Sequence, residues 1–187
     1  MKTGKIIFLN GVTSTGKTTI SKAIQEIADE QFYHISNDMF GNLLGEMLND
    51  EKYTSEAGSE TNAMNKYWAE HVVLMYHFAR TVTEQGVNII IDGMLEERSG
   101  FIEYYDKSNY DNMRHILKDS NVFLVEVFCP LDECRRRNIA RGDRGENQSQ
   151  EQHDVMNKDI KYDFHVDTSV DNANECANKI LKELYRI

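Results

Sequence analysis

Proline is almost missing from this chain. Pro130 stands alone among 187 residues, and no linker, low-complexity tract or internal repeat divides them. The simplest organisation is therefore one domain over residues 1–187, long enough to bury a substantial core. Cysteine is scarce as well. Cys129, Cys134 and Cys176 are odd in number and form no C-x-x-C pair, which argues against a disulfide framework and predicts free, mostly buried thiols in a reducing compartment. The six histidines show no metal-ligand spacing, so a zinc site is not expected. Positive charge is in deficit: 21 Lys and Arg against 31 Asp and Glu leave a net charge of −10. That balance speaks against a dedicated nucleic-acid binder, which needs a basic surface, although it leaves room for a locally basic nucleotide site. No apolar run approaches the ~18 residues of a membrane span, and the N-terminus carries no signal-peptide apolar region. We therefore expect a cytoplasmic protein with no membrane partner.

What is present is concentrated near the N-terminus. Residues 5–19 read K-I-I-F-L-N-G-V-T-S-T-G-K-T-T. The run Ile6-Ile7-Phe8-Leu9 has the character of a buried strand, and a helical pattern begins at Lys17. Between them stands G-x-x-x-x-G-K-T, a phosphate-binding loop in its required strand-to-helix context. Gly11 and Gly16 permit backbone angles and close approaches that a Cβ would block. The amides of residues 13–18 can then converge on an anion, with the positive end of the helix dipole behind them. The candidate nucleotide contacts are Gly11, Thr13, Ser14, Thr15, Gly16, Lys17, Thr18 and Thr19. Lys17 would reach the β- and γ-phosphates of ATP, and the Thr18 hydroxyl would ligate Mg²⁺.

Downstream, strand and helix patterns alternate. Residues 17–29 place Ile20, Ala23, Ile24 and Ile27 on one helical face. Residues 31–36 predict a strand, 39–48 a short helix and 49–60 a loop. The spacing predicts a long helix over 61–85, stopped by Gly86. Residues 87–92 predict a buried strand, 101–120 a weak helix and 122–128 a fourth strand, after which Pro130 opens a helix running to Gly142. Residues 143–152 are polar and glycine-containing and predict a small mobile lid. Residues 163–168 predict a fifth strand, and Asn172 with Glu175 has the spacing of a capping box. Such alternation implies an α/β fold on a mainly parallel sheet. All strands then end at one edge, which gathers Gly11, Asp38, Asp92 and Asp167 where ligands bind.

Three groups of side chains could carry chemistry at that edge. Asp92, after four apolar residues, has the form of a carboxylate that serves Mg²⁺, or of a turn-forming Asp. Asp38 either caps the helix beginning near Met39 or takes the proton from an acceptor hydroxyl; a loose phosphoryl-transfer transition state needs little activation of the nucleophile. Arg135, Arg136, Arg137, Arg141 and Arg144 form a cluster, with Arg137, Arg141 and Arg144 at i, i+4 and i+7. That stripe is either a solvated helical face or a clamp on the triphosphate. Aromatics at Tyr53, Tyr67, Trp68, Tyr104, Tyr105 and Tyr110 could line an acceptor pocket or belong to the core.

In order along the chain, G-V-T-S-T-G-K-T, N-D-M-F, I-I-I-D, R-N-I-A-R-G-D-R at 137–144 and Y-D-F-H-V-D-T-S at 162–169 resemble the chloramphenicol phosphotransferase-like P-loop kinases. That resemblance implies a five-stranded parallel core like that of nucleoside-monophosphate kinases, use of ATP and Mg²⁺, and phosphoryl transfer to a small-molecule hydroxyl. It implies Asp38 as the catalytic base and Lys17, Arg141 and Arg144 as catalytic partners around the phosphates. Asn157 stands where the family pattern places a histidine before Y-D, and residues 40–85 and 93–120 match no acceptor pattern. A kinase for a sugar nucleotide or another polar metabolite, and an ATP-binding switch without transfer chemistry, are the alternative readings. Assembly into a homo-oligomer is left open.

Overall fold

The apolar run Ile6–Leu9 has no exposed residue, because it forms the middle strand of a sheet covered on both faces. A computed structural model describes residues 3–43, 60–96, 108–142, 145–156 and 158–186, with the side chains of 60–69 left out. Its sheet contains β1 (Lys5–Asn10), β2 (Phe32–Ser36), β3 (Asn88–Gly93), β4 (Asn121–Phe128) and β5 (Phe164–Asp167). The strand order is β2-β3-β1-β4-β5, and every pairing is parallel. A fully buried parallel sheet needs apolar side chains on both faces, which explains why β1 and β3 read as continuous hydrophobic runs.

The pleat divides those runs between two layers. Ile7, Leu9, Ile90 and Val125 face α1 (Lys17–Ile27) and the C-terminal helix, Ala173–Leu184, meeting Ile20, Ile24, Ile180 and Leu184. Ile6, Phe8, Ile89, Ile91 and Leu124 face the opposite way, onto Met75, Tyr76 and Ala79 of the long helix α3 (Glu60–Glu84) and onto Met113 and Ile116 of α4 (Asn109–Ile116). The expected periodicity of the long helix holds for Val72, Met75 and Ala79. Phe78, next to Ala79, is instead 46% exposed and sets its ring edge-on to Phe40 at 5.7 Å. Of the aromatics named as pocket candidates, Tyr110 packs partly buried against this core; the others lie outside the residues or side chains described.

Several element boundaries differ from the expectations. The short helix α2 is Asn37–Asn42, starting two residues before Met39. Helix α5 is Leu131–Arg141, closed by Gly142 in the left-handed region at φ 73°, so the stripe through Arg137 and Arg141 does not continue as helix toward Arg144. Residues 143 and 144 lie outside the description. Overlapping the stretch expected as a lid and running three residues past it, Gln148–Val155 forms a helix, α6. The C-terminal helix, α7, has Asn172 as its N-cap with the full capping box: Asn172 accepts from Glu175 N, and Glu175 accepts from Asn172 N. All three thiols are free and buried. Among the described residues, no helix is long and apolar enough to cross a membrane.

Candidate active site

The phosphate loop lies at the carboxyl edge of β1, between neighbours β3 and β4, at the point where the strand order reverses. Gly11 has no alternative: an added Cβ would stand 2.5 Å from the Val127 carbonyl oxygen. Gly16 takes φ 95°, which only glycine adopts at little cost. Ser14 also has positive φ, at 61°, a conformation that costs a non-glycine residue on the order of 1–2 kcal/mol. That strain is held from outside. The Ser14 hydroxyl donates to Asn138 Oδ1 at 2.6 Å, and its carbonyl accepts from Arg137 Nη1 at 3.3 Å. Thr168, just after β5, donates through Oγ1 to the Thr15 carbonyl at 2.8 Å. With the Ser14 and Thr15 carbonyls engaged, the loop amides from Ser14 onward can serve as an anion cradle; the Thr13 amide, expected to join them, donates instead to Gln152 Oε1 at 2.5 Å.

Lys17 arches back over this loop, donating to Gly11 O at 2.8 Å and Val12 O at 2.9 Å, with its ammonium 3.8 Å from Asp92 Oδ1. Thr18 Oγ1 donates to Asp92 Oδ2 at 2.6 Å. Asp92 is 7% exposed. Burial alone would raise its pKa, but His34, Lys17 and Thr18 together outweigh burial and hold the carboxyl below its ordinary 3.8. His34 acts through space, since its Nε2 stands 3.7 Å from Asp92 Oδ2 and has no hydrogen bond. The Asp92 carboxylate and the Thr18 hydroxyl are hard oxygen donors of the kind that could hold Mg²⁺, with phosphates and waters supplying its remaining ligands.

Across the same opening lies Asp38. Ser36, not Asp38, caps α2, accepting from Met39 N at 3.2 Å. The sequence left a capping duty open for Asp38, and the neighbouring serine fills it. Asp38 lines a cavity of about 610 Å³ together with Gly11, Thr13, Ser14, Gly16, Lys17, Thr18, Thr19 and Asp92. Arg136, Arg137 and Arg141 border it from α5. Arg137 is also a strut: it donates from Nε to Glu133 at 2.8 Å and from Nη1 and Nη2 to Thr168 Oγ1 and O at 3.0 and 2.8 Å. Arg135 pairs with Glu146 and Arg136 with Glu133. Thr15 is 2% exposed and spans the loop from Oγ1 to Val12 O at 3.0 Å. Asp167 does not line the cavity; its carboxylate accepts from Ser169 N and Oγ at 2.8 and 2.6 Å and shapes the turn after β5. Arg144 and Asn157 lie outside the described residues.

Several residues at this edge escaped the sequence reading. Gln152 of α6 accepts from Thr13 N at 2.5 Å and lines the cavity. Asn138, fully buried, bridges the Ser14 hydroxyl to Ser149 Oγ, 3.2 Å from its Nδ2. Asn10, fully buried, donates to the Tyr162 hydroxyl at 2.5 Å and accepts from Leu95 N at 2.7 Å. Asn10 adjoins the G-V-T-S-T-G-K-T motif, and Asn138 and Thr168 lie inside motifs quoted above, so all three could have been singled out by position. Gln152 sits in a wholly polar stretch and carries no signal.

Comparison with known proteins agrees with this architecture. The chain is 27% identical, across 193 aligned residues, to a Mycobacterium tuberculosis protein named "Putative O-phosphotransferase"; the match covers 96% of this chain and 82% of that one. The structure resembles M. tuberculosis APS kinase in complex with AMPPNP and APS, with a TM-score of 0.65, 15% identity and 99% coverage of both chains. It also resembles Acinetobacter baumannii shikimate kinase in complex with shikimate, with a TM-score of 0.63, 16% identity, and coverage of 99% and 95%. At such identities the two structures speak for a shared P-loop kinase fold. The family model described as chloramphenicol phosphotransferase-like protein matches residues 4–185, and the chain belongs to that family.

Proposed function

We propose that this chain transfers the γ-phosphoryl group of ATP to a hydroxyl of a small molecule. One observation carries the reading: Asp38, released from capping by Ser36, lines the same cavity as the phosphate loop, Lys17, and the Thr18–Asp92 pair. The loop amides and Lys17 bind the β- and γ-phosphates, and Arg141, at the cavity rim on the last turn of α5, faces the transferring group. Thr18 and Asp92 would hold Mg²⁺, which would supply positive charge to neutralise the phosphate oxygens. Asp38 orients the acceptor hydroxyl and takes its proton as the new O–P bond forms and the bond to ADP breaks.

The test is Asp38→Asn. Affinity for AMPPNP should stay within about threefold of wild type, while ADP release with the true acceptor falls by at least ~10²-fold, the range for loss of a general base. Near-normal kcat in that variant would remove Asp38 from the role. A panel of acceptor alcohols, from aromatic alcohols to sugar acids, separates an apolar acceptor from a polar metabolite. Nucleotide binding without transfer to any of them would favour a switch.

A further inference from the structure

We propose that Gln152 is a catalytic residue of this site, a fixed donor for the transferring phosphoryl group; the proposal rests on the kinase reading above. Its two ends are distinguished by chemistry. The Thr13 amide can only donate, so the end of the carboxamide that meets it at 2.5 Å is the acceptor, Oε1. The orientation of the side chain is thereby settled by a backbone group. Nε2 is left as the other end, and among the described residues it donates to nothing. The side chain is half-buried and lines the cavity that holds Lys17 and Asp38.

A second contact of the same helix with the loop stands behind Gln152. Ser149, one turn earlier at i−3 on the same face of α6, is 1% exposed and hydrogen-bonded to Asn138, which in turn accepts from the Ser14 hydroxyl. Consecutive loop residues, Thr13 and Ser14, are thus tied to one face of α6. A donor held in place before reaction adds no reorganisation cost when charge develops on the phosphoryl oxygens. The acceptor oxygen still forms the bond to phosphorus, ADP leaves with the broken bond's electrons, and the proton still goes to Asp38. Gln152 contributes a hydrogen bond and exchanges no atom.

Gln152→Glu and Gln152→Met separate this role from simple support of the loop. Glutamate keeps an acceptor for Thr13 N and loses the donor; methionine keeps the length and loses both. The readouts are kcat and the affinities for ADP, for AMPPNP and for ADP with aluminium fluoride, a mimic of the transferring group in flight. Both variants should lose about 10²-fold in kcat, and in the ratio of ADP–aluminium fluoride affinity to ADP affinity, the size seen on removing one preorganised donor. AMPPNP affinity should change by less than about fivefold in Gln152→Met, and fall further in Gln152→Glu, whose new carboxylate repels the γ-phosphate. Retention of wild-type kcat and of that ratio by Gln152→Glu, with loss only in Gln152→Met, would overturn the proposal and leave Gln152 a support for Thr13. If wild type neither bound nucleotide nor transferred phosphate, the kinase reading itself would fall instead.

Discussion

Glu133 organises the arginine cluster of α5. It accepts from Arg136 Nε and Nη2 at 2.7 Å and from Arg137 Nε at 2.8 Å, and these two guanidiniums, Arg136 foremost, hold its carboxyl down at about 2 against an ordinary 4.5. A depressed carboxylate stabilises the fold fully above its unfolded pKa, and that contribution disappears as pH falls through the folded one. Glu133→Gln should therefore be less stable than wild type at pH 7, with the gap closing between pH 4.5 and about 2. Urea midpoints across that range check it, and a gap independent of pH would contradict it. The same residue explains why the arginines were hard to read. An i, i+4 stripe says which side chains share a face, but not that Arg137 spends its guanidinium on Glu133, Ser14 and Thr168. Asp38 was ambiguous for a related reason: a cap and a base are both carboxylates at a helix start, and only the Ser36–Met39 contact two residues away removes the capping reading.

Among elements, the contrast is between α7 and α6. Helix α7 buries Cys176, Ala177, Ile180, Leu181 and Leu184 along one stripe and opens on a full capping box, so period and cap point to the same segment. Asn172→Ala should cost about 1 kcal/mol, the usual loss of a side-chain N-cap. A urea midpoint measures it, and AMPPNP affinity should not move, since α7 contributes nothing to the cavity lining. A loss below ~0.3 kcal/mol would mean that packing alone sets where α7 begins. Helix α6 offers neither signal. Its N-cap, Asn147, makes no side-chain cap bond, and Q-S-Q-E-Q-H-D-V has one apolar residue. Glutamine and glutamate are good helix formers, but without an apolar stripe the period is invisible. What seats α6 is mainly polar, Ser149 on Asn138 and Gln152 on Thr13, with Val155 alone packing on the small apolar cluster of Val12, Met94, Cys129 and Cys134. Contacts of that kind are tertiary, and a single sequence does not announce them.

For the molecule as a whole, the alternation of strands and helices was enough to place the site, because a parallel sheet ends all its strands at one edge and β1 stands where the order reverses. The pattern could not say how the segments beyond that edge are fastened together. Asn10 is the fastening. From the last position of β1 it receives Leu95 N beyond β3, and it donates to Tyr162 Oη and, at 3.8 Å, to Met156 Sδ beyond α6. Glu96 and Met156 pair directly beside it as an antiparallel bridge. Burial pushes the Tyr162 hydroxyl up to about 12, so it stays neutral and stays in this network at any working pH. Removing the Asn10 carboxamide leaves the Leu95 amide, on a residue with no exposure, without its acceptor, a loss of about 1–3 kcal/mol. Asn10→Ala should therefore destabilise by about 2–3 kcal/mol, and Tyr162→Phe by about 1 kcal/mol. Because the two side chains share one hydrogen bond, the double variant should lose less than the sum by at least ~0.5 kcal/mol. Strict additivity in urea unfolding would mean that β1 and the segment after α6 are held independently, and that the phosphate loop's far wall is not braced through Asn10.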